Sequence, residues 1–369
     1  MLIDRIEIIP IQIKLTEPFV ISKGPLTHAR NTVVRILTKD GNVGVGECCP
    51  YRTIHGETQQ GTVAAGRDLA EILIGEDARE IRKLIKKIDK ALAGNASIKA
   101  AIDMALYDLN AKAVGLPLYR YLQGDNEKKI YTDMTVSLLE KSVMAKKARK
   151  FVDDGFPVLK VKLGKDAVSD IERIIAIRKE VGMDIDIRID ANQGWNYYEA
   201  SKALDGLADL NIQHCEAPLP AGDFIGREKL RAESVIPIMG DESVFSHQDA
   251  YRNLAIDAID LINIKLGKSG GICHAMKIAS IAQAAGVYCQ VGSFSETRLG
   301  ITALTHFSKA WDNIIYYDLD SPLMQSEDPI QGGMVYHKDW EVTVDDTPGI
   351  GADFDPLFLE KFEKFVVGK

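Results

Sequence analysis

The amino-acid sequence predicts an α/β fold, a (β/α)8 barrel of the TIM type preceded by a smaller α+β domain. Between Tyr131 and Asp320, short β-branched runs alternate with amphipathic segments. They lie at Tyr131–Val136, Val158–Leu163, Asp186–Asp190, Ile212–Glu216, Ile236–Gly240, Leu261–Lys265, Tyr288–Gly292 and Ile314–Asp318. Runs roughly 25 residues apart, with helical stripes such as Ile171, Ile174, Ile175 and Ile177 between them, read as repeated strand–helix units. Acids and lysines fall at the ends of several runs, where such a barrel gathers its functional groups. An open doubly wound sheet lacks its usual mark. Gly44 and Gly46 are followed by Cys49 where the dinucleotide loop needs a third glycine, and Gly267-Lys268-Ser269 has Ile262 where a phosphate loop starts with glycine.

The elements before the barrel, residues 1–125, mix short extended runs (Ile3–Leu15, Thr32–Thr38, Gly44–Glu47) with helices. The clearest helix is Ser97–Val114, where Ile98, Ala101, Ile102, Ala105, Leu106 and Leu109 recur at helical spacing and Gly115 is the stop. The polar, turn-rich stretch Gly124–Ile130 marks the boundary, so the barrel is assigned to residues 126–320. Residues 321–369 hold no further barrel unit and are expected to return to the first domain. At 369 residues and 46% hydrophobic, the chain can bury one large core and a second smaller one.

Composition excludes several classes. A formal charge of −8 with scattered Lys and Arg gives no electrostatic reason to expect nucleic acid or an anionic membrane as partner. No apolar run reaches the roughly 18 residues of a membrane span, and the start MLIDRIEIIPIQIK lacks the parts of a signal peptide, so a cytoplasmic location is expected. The five cysteines are odd in number and without C-x-x-C spacing, which reads as buried thiols. Nothing in the sequence decides whether the chain forms a homo-oligomer.

Three acids end successive strands: Asp190, Glu216 and Asp241, spaced 26 and 25 positions apart. One such acid commonly caps the next helix. Three on neighbouring strand ends converge oxygen ligands on one point and suit a hard divalent cation, namely one Mg2+ per subunit. Side chains two apart on a strand share a face, which sends Lys160 with Lys162, and Asp318 with Asp320, into the barrel mouth. Lys162 ends the second strand and Lys265 the sixth, four strands apart and therefore across the mouth from each other. Arg188 is in phase with Asp190 and is expected to orient that acid. His214, in phase with Glu216, reads as a core histidine with its hydrogen bonds satisfied.

Opposed lysines beside a magnesium suit removal of a proton α to a carboxylate. The enediolate becomes accessible when its two negative charges are neutralised as they form. A lysine base must be partly neutral, and burial, a divalent cation and a like charge nearby all favour the neutral amine. Removal at one face and return at the other inverts the stereocentre, so racemisation or epimerisation is expected.

The segments LKVKLG, RIDANQGW, CEAPLP, GDESV and INIKLGKSGGI resemble the muconate-lactonising subgroup of the enolase superfamily across essentially the whole chain. Enzymes of that superfamily are known for a Lys or His base working with Mg2+. The resemblance implies Asp190, Glu216 and Asp241 as Mg2+ ligands, Lys162 and Lys265 as the acid/base pair, and Lys160 as a carboxylate-neutralising partner. The N-terminal region and the C-terminal segment would form a cap whose loops near Phe19–Leu26 and Arg52–Glu57 close over substrate. Asp318-Leu319-Asp320 at the eighth strand is similar to the mark of dipeptide epimerases, enzymes of peptidoglycan or peptide metabolism. Two carboxylates on one face can hold a free α-ammonium. The implied substrate is a small dipeptide, with Thr135 and Ser293 as further contacts. Members that prefer Ala-Glu carry a basic residue in the first cap loop. Aligning by Pro18-Phe19 puts Gly24 at that position, with Lys23 beside it, and implies an Ala-Xaa substrate whose Xaa is small or apolar, such as Ala-Ala.

The alternatives are an L-Ala-D/L-Glu epimerase, an o-succinylbenzoate synthase or cycloisomerase of the same superfamily, and a binding barrel without turnover. Substrates lacking an ammonium would leave Asp318 and Asp320 unneutralised. Acid-sugar dehydratases place a histidine near the seventh strand, and Tyr288–Thr297 contains none.

Overall fold

A computed structural model describes residues 1–369. The chain begins with β1 (Ile3–Ile21), β2 (Gly24–Thr38) and β3 (Val43–Cys48), an antiparallel sheet, and continues through α1 (Gln59–Glu71), α2 (Ile81–Ala91), α3 (Ala96–Ala113) and the short α4 (Leu118–Tyr121). β1 and β2 run past the expected ends into a long hairpin, Phe19–Ile21 pairing with Gly24–Leu26. Gly44 and Gly46 serve packing. A Cβ at either would overlap the carbonyl oxygen of Ala105 or Ala101 on α3, so the bare backbone of β3 lets an alanine-rich helix lie directly against it.

Then come β4 (Met134–Val136), α5 (Lys141–Asp153), β5 (Val158–Lys162), α6 (Ala167–Val181), β6 (Asp186–Asp190), α7 (Tyr197–Leu207), β7 (Ile212–Glu216) and α8 (Phe224–Glu233). After them follow β8 (Ile238–Gly240), α9 (His247–Ala255), β9 (Leu261–Ile264), the single turn α10 (Leu266–Ser269), α11 (Ile272–Ala284), β10 (Tyr288–Val291), α12 (Arg298–Ser308) and β11 (Ile314–Tyr317). The eight strands are parallel and neighbours in chain order. The ladder stops between β11 and β4, and side chains and single bonds close the seam. Asp133 N–H donates to Tyr317 O at 3.4 Å, and Leu319 N–H to Thr132 Oγ1 at 3.1 Å. Tyr131, expected in the first strand, instead bridges to Glu341. The fold is the (β/α)8 barrel with an α+β cap.

The tail carries β12 (Ile330–Gly332), β13 (Val335–Tyr336), β14 (Val342–Thr343), β15 (Ala352–Phe354), α13 (Pro356–Leu359) and β16 (Phe365–Gly368). β16 adds to the cap sheet antiparallel to β1. The apolar core does not divide where the chain crosses from cap to barrel. One cluster of 66 buried residues joins the cap to β9–β11, α11 and α12, and a second of 25 underlies β4–β8. Cap carboxylates reinforce the join. Glu47 accepts from the N-terminus of α12, and Asp103 from the amides of Ile272 and Cys273 that open α11. All five cysteines are buried and free. No helix is long and apolar enough to cross a membrane.

Candidate active site

Strand register brings the predicted residues together. Lys162 pairs with Asp190, and Asp190 with Glu216, so three neighbouring strand ends stop at one level. Asp241 follows β8, Lys265 follows β9, Ser293 lies just beyond β10, and Asp318 and Asp320 just beyond β11. Asp190 and Glu216 are fully buried, and Asp241 nearly so. Each acid meets a lysine. Asp190 Oδ2 accepts from Lys162 Nζ at 2.6 Å, Glu216 Oε2 pairs with Lys160 Nζ at 2.7 Å, and Asp241 Oδ2 accepts from Lys265 Nζ at 2.8 Å. Lys160 also donates to Asp318 at 2.7 Å, linking the acid triad to the Asp318/Asp320 pair. Asp320 Oδ2 takes the Thr135 amide at 2.7 Å. Lys162, Lys265, Thr135, Ser293, Asp318 and Asp320 line one cavity with Phe19, Ile21, Tyr51, Ile54 and Phe294. Its free space is about 40 Å³, room for a few water-sized groups. Gly24 stands apart in the hairpin turn and borders a second cavity with Lys23, Arg30 and Arg52, which meets the first at Tyr51.

The electrostatics fit a divalent cation. Buried around the barrel mouth, the acids Asp133, Asp190, Glu216, Asp241, Glu242, Glu296, Asp318 and Asp320 face the bases Lys160, Lys162, Arg188, Lys265 and Lys268. The acids are in excess. Glu242 and Asp320 show it: burial, and next the neighbouring Asp241, push the Glu242 carboxyl up to about 8, and burial with Asp318 pushes Asp320 up to about 7. Glu242 Oε2 and Asn192 Oδ1 are buried without a hydrogen-bond partner beside Asp241 and Asp190, a cost of about 1–3 kcal/mol each that a ligand would remove. Asp190, Glu216 and Asp241 could therefore hold Mg2+, the oxygen donor set such an ion prefers. The side-chain oxygens found within 4.8 Å of one another are those of Asp133, Asp318 and Asp320. In that group Arg188 pairs with Asp133 and Lys160 with Asp318, whereas Asp190, Glu216 and Asp241, each drawn to a lysine, do not bring their oxygens that close to one another.

Some expectations change. Arg188 points inward, but one layer below Asp190 and Glu216. Its guanidinium bonds Asp133 Oδ2 at 2.9 Å, Gln213 Oε1 and the Tyr317 carbonyl, and does not orient Asp190. Two residues before the strand end is too deep to reach a ligand at its tip. Asn263 and Gln290 orient Glu216, donating to its two oxygens at 2.7 and 3.2 Å. His214 is buried, yet neither ring nitrogen has a partner. It lies edge-on to Tyr316, and burial followed by the charge of Arg188 keeps it neutral. Lys265 is held charged by its acids. Burial works to lower its pKa, but Asp241 and Glu216 outweigh that and hold it above the ordinary lysine value.

Sequence reasoning missed Glu242, Asn192 and Lys268. Lys268 Nζ is buried on Asp241 Oδ1 at 2.7 Å and on the Asp241 carbonyl. It placed Phe19 in the cap loop but missed its contact with a lysine, and it missed the ring of Phe294. Phe19 lies 5.8 Å from Lys162 Nζ and Phe294 lies 4.6 Å from Lys265 Nζ, within cation–π reach. The signal available for Glu242 was its place next to Asp241 in GDESV.

Residues 5–123 match the mandelate racemase/muconate lactonizing enzyme N-terminal domain, and residues 143–357 the enolase C-terminal domain-like family. The chain is 43% identical to a D-Ala-D/L-Ala epimerase of Cytophaga hutchinsonii over 100% of both chains. It is 41% identical to an L-Ala-D/L-Glu epimerase of Bacillus subtilis over 95% of this chain and 96% of that one. The crystal structure of the Cytophaga dipeptide epimerase complexed with Mg and D-Ala-L-Val has a TM-score of 0.98, covering 100% of both chains at 43% identity. That of the Enterococcus faecalis dipeptide epimerase with Mg and L-Leu-L-Tyr scores 0.93 at 38% identity, covering 96% of this chain and 100% of that one. With its lysines, acids and Asp318/Asp320 pair set on this barrel, the chain belongs to the mandelate racemase/muconate-lactonising family of the enolase superfamily and is an isomerase of the dipeptide-epimerase group.

Proposed function

We propose that the protein inverts the Cα of the second residue of an Ala-Xaa dipeptide, with a small or apolar Xaa as in Ala-Ala, by proton transfer between Lys162 and Lys265 through an enediolate. The observation that carries the reading is that these lysines, four ladder steps apart, border one cavity together with Asp318 and Asp320, and that Lys162 pairs with Asp190 and Lys265 with Asp241. The substrate carboxylate is directed to Lys160 and to the place where Asp190, Glu216 and Asp241 would hold Mg2+. Bound at the three acids, Mg2+ would place positive charge against that carboxylate and draw the acids away from the lysines they now pair with. The α-ammonium goes to Asp318 and Asp320, with Thr135 and Ser293 along the walls. One lysine then takes the Cα proton and the other returns a proton from the opposite side. A substrate without an ammonium would leave the aspartates uncompensated in a buried site, which disfavours a synthase or cycloisomerase. Phe19, Ile21 and Ile54 offer an apolar wall to a small second side chain.

One observation favours a second reading, an L-Ala-D/L-Glu epimerase. The adjoining cavity of about 300 Å³ is bordered by Lys23, Arg30 and Arg52 as well as Gly24, and could receive an acidic second side chain. Incubating the protein with Mg2+ and a library of Ala-Xaa dipeptides in D2O, and following the second residue's Cα proton by NMR, tests both. Exchange with inversion of small and apolar Xaa is expected. A higher kcat/KM for Ala-Glu than for Ala-Ala selects the second reading, and no exchange with any dipeptide, binding or not, removes both.

A further inference from the structure

The segment between β10 and α12 is anchored from both the cap and the tail. The Ser295 carbonyl accepts from Asn31 Nδ2 at 2.9 Å, and the Glu296 carbonyl accepts from Ser321 Oγ and Gln325 Nε2, each at 2.9 Å. Within this frame the Glu296 side chain turns back on its own chain, and its Oε2 accepts the Phe294 N–H at 2.6 Å. Glu296 is buried and does not line the catalytic cavity, whereas Phe294 does. Two glycines make room for the pair. A Cβ at Gly300 would stand 2.9 Å from Glu296 Cβ, and one at Gly267 would stand 3.4 Å from Glu296 Oε1 and 3.7 Å from the Phe294 ring. Gly267 lies in the turn α10, two residues after Lys265. Glu296 and Phe294 therefore rest together on the backbone that carries Lys265.

The ring is the part that reaches the amine. Its centre is 4.6 Å from Lys265 Nζ, and His55 of the cap loop meets it edge-on at 4.5 Å between ring centres. A lysine ends a flexible four-carbon stem, and an aromatic face both attracts its ammonium and limits where the stem can swing. Lys162 has its own ring, Phe19, but the β1–β2 ladder holds that one through the pairing of Phe19 with Leu26, and Glu296 makes no bond to it.

We propose that Glu296 is a positioning residue for the proton transfer: by holding the Phe294 amide it fixes that ring against Lys265, and it aligns this lysine and not Lys162, without touching substrate. The proposal rests on the reading that Lys162 and Lys265 each serve one face of the Cα. Burial, with Glu47 adding to it, pushes the Glu296 carboxyl up to about 7, so near neutral pH the uncharged amide of glutamine is a close substitute that keeps an acceptor for the Phe294 N–H.

The test follows Cα proton exchange of each epimer of Ala-Ala separately, in D2O with Mg2+, for the wild type, Glu296→Ala, Glu296→Gln and Phe294→Leu. Lys265→Ala identifies the epimer that depends on Lys265. The ratio of the two epimers' rates on one preparation cancels any loss of folded protein, which a merely structural role would produce. Glu296→Ala and Phe294→Leu are each expected to slow the Lys265-dependent epimer by about tenfold or more relative to the other, the scale of a small misalignment at a reacting group. Glu296→Gln should restore the ratio. Equal slowing of both epimers in Glu296→Ala, an unchanged ratio in Phe294→Leu, or a glutamine variant no better than the alanine one overturns the assignment and leaves the two-lysine reading standing. If the wild type exchanges no dipeptide, that reading falls and the proposal with it.

Discussion

Glu47 should hold the cap to the catalytic barrel, and the cost of losing it can be worked out. The side chain is 1% exposed. Its Oε1 accepts from Asn31 Nδ2 at 2.6 Å and Thr297 N–H at 2.9 Å. Its Oε2 accepts from Thr297 Oγ1 at 2.7 Å and Gly300 N–H at 3.0 Å. Burial pushes this carboxyl up, and the Thr297 donors oppose that. Glu47→Ala strands the amides of Thr297 and Gly300 and one N–H of Asn31, whose other N–H keeps the Ser295 carbonyl. The Thr297 hydroxyl can turn away. Three stranded donors at about 1–3 kcal/mol each, near the lower end where water enters the space vacated, give about 3–6 kcal/mol. Glu47→Gln keeps one acceptor and turns an amide toward Gly300, costing about 1–3 kcal/mol. Urea unfolding followed by tryptophan fluorescence measures both. The segment held by Glu47 leads back to Ser293 and Phe294 at the site, so dipeptide exchange should fall in the same order and be partly rescued in the Gln variant. A Glu47→Ala protein within about 1 kcal/mol of wild type would refute the reasoning.

Other predictions concern packing, pH and metal. Gly46→Ala should destabilise by about 1–3 kcal/mol in the same unfolding assay, because its methyl would overlap the Ala101 carbonyl and force β3 from α3. His306 accepts the Tyr119 amide and bonds the Ile350 carbonyl, and burial holds its pKa down to about 4. An unfolded histidine takes its proton near pH 6.5, so this contribution is intact above that pH and is lost as pH falls towards 4, by about 3 kcal/mol in all. His306→Gln should remove about one proton from that slope in unfolding curves taken from pH 7 to 4. Removing Mg2+ with EDTA should lower the melting temperature by a few degrees, since an ion at a hundred times its Kd contributes about 2.7 kcal/mol. Asp190→Asn should abolish that Mg2+-dependent difference, seen by scanning calorimetry.

The strand ends were legible because an acid or lysine lies at or beside the end of six of the eight apolar runs, all but Tyr131–Val136 and Tyr288–Gly292. Asp186–Asp190 and Ile212–Glu216 match the expected bounds, and the other barrel strands are trimmed by one to three residues. Trimming happens where the chain turns towards a different partner, as Tyr131 does towards Glu341. The tip of the β1–β2 hairpin was hidden, because residues 16–18 are exposed and carry no alternating apolar signal. Phase told which way Arg188 points but not how deep it sits. Glu242 and Asn192 lie in turns, where no periodicity marks a side chain, and their roles come from orphaned oxygens that only coordinates reveal. Lys268 shares a short turn with the rejected phosphate-loop pattern, and only its contact with Asp241 gives it meaning.

The most direct test of the two-lysine account follows Cα proton exchange from each epimer of Ala-Ala separately, in D2O with Mg2+, for Lys162→Ala and Lys265→Ala. The account predicts that both variants lose epimerisation, that each still exchanges one epimer, and that the surviving epimer differs between them. Equal loss of exchange from both epimers in both variants would contradict it.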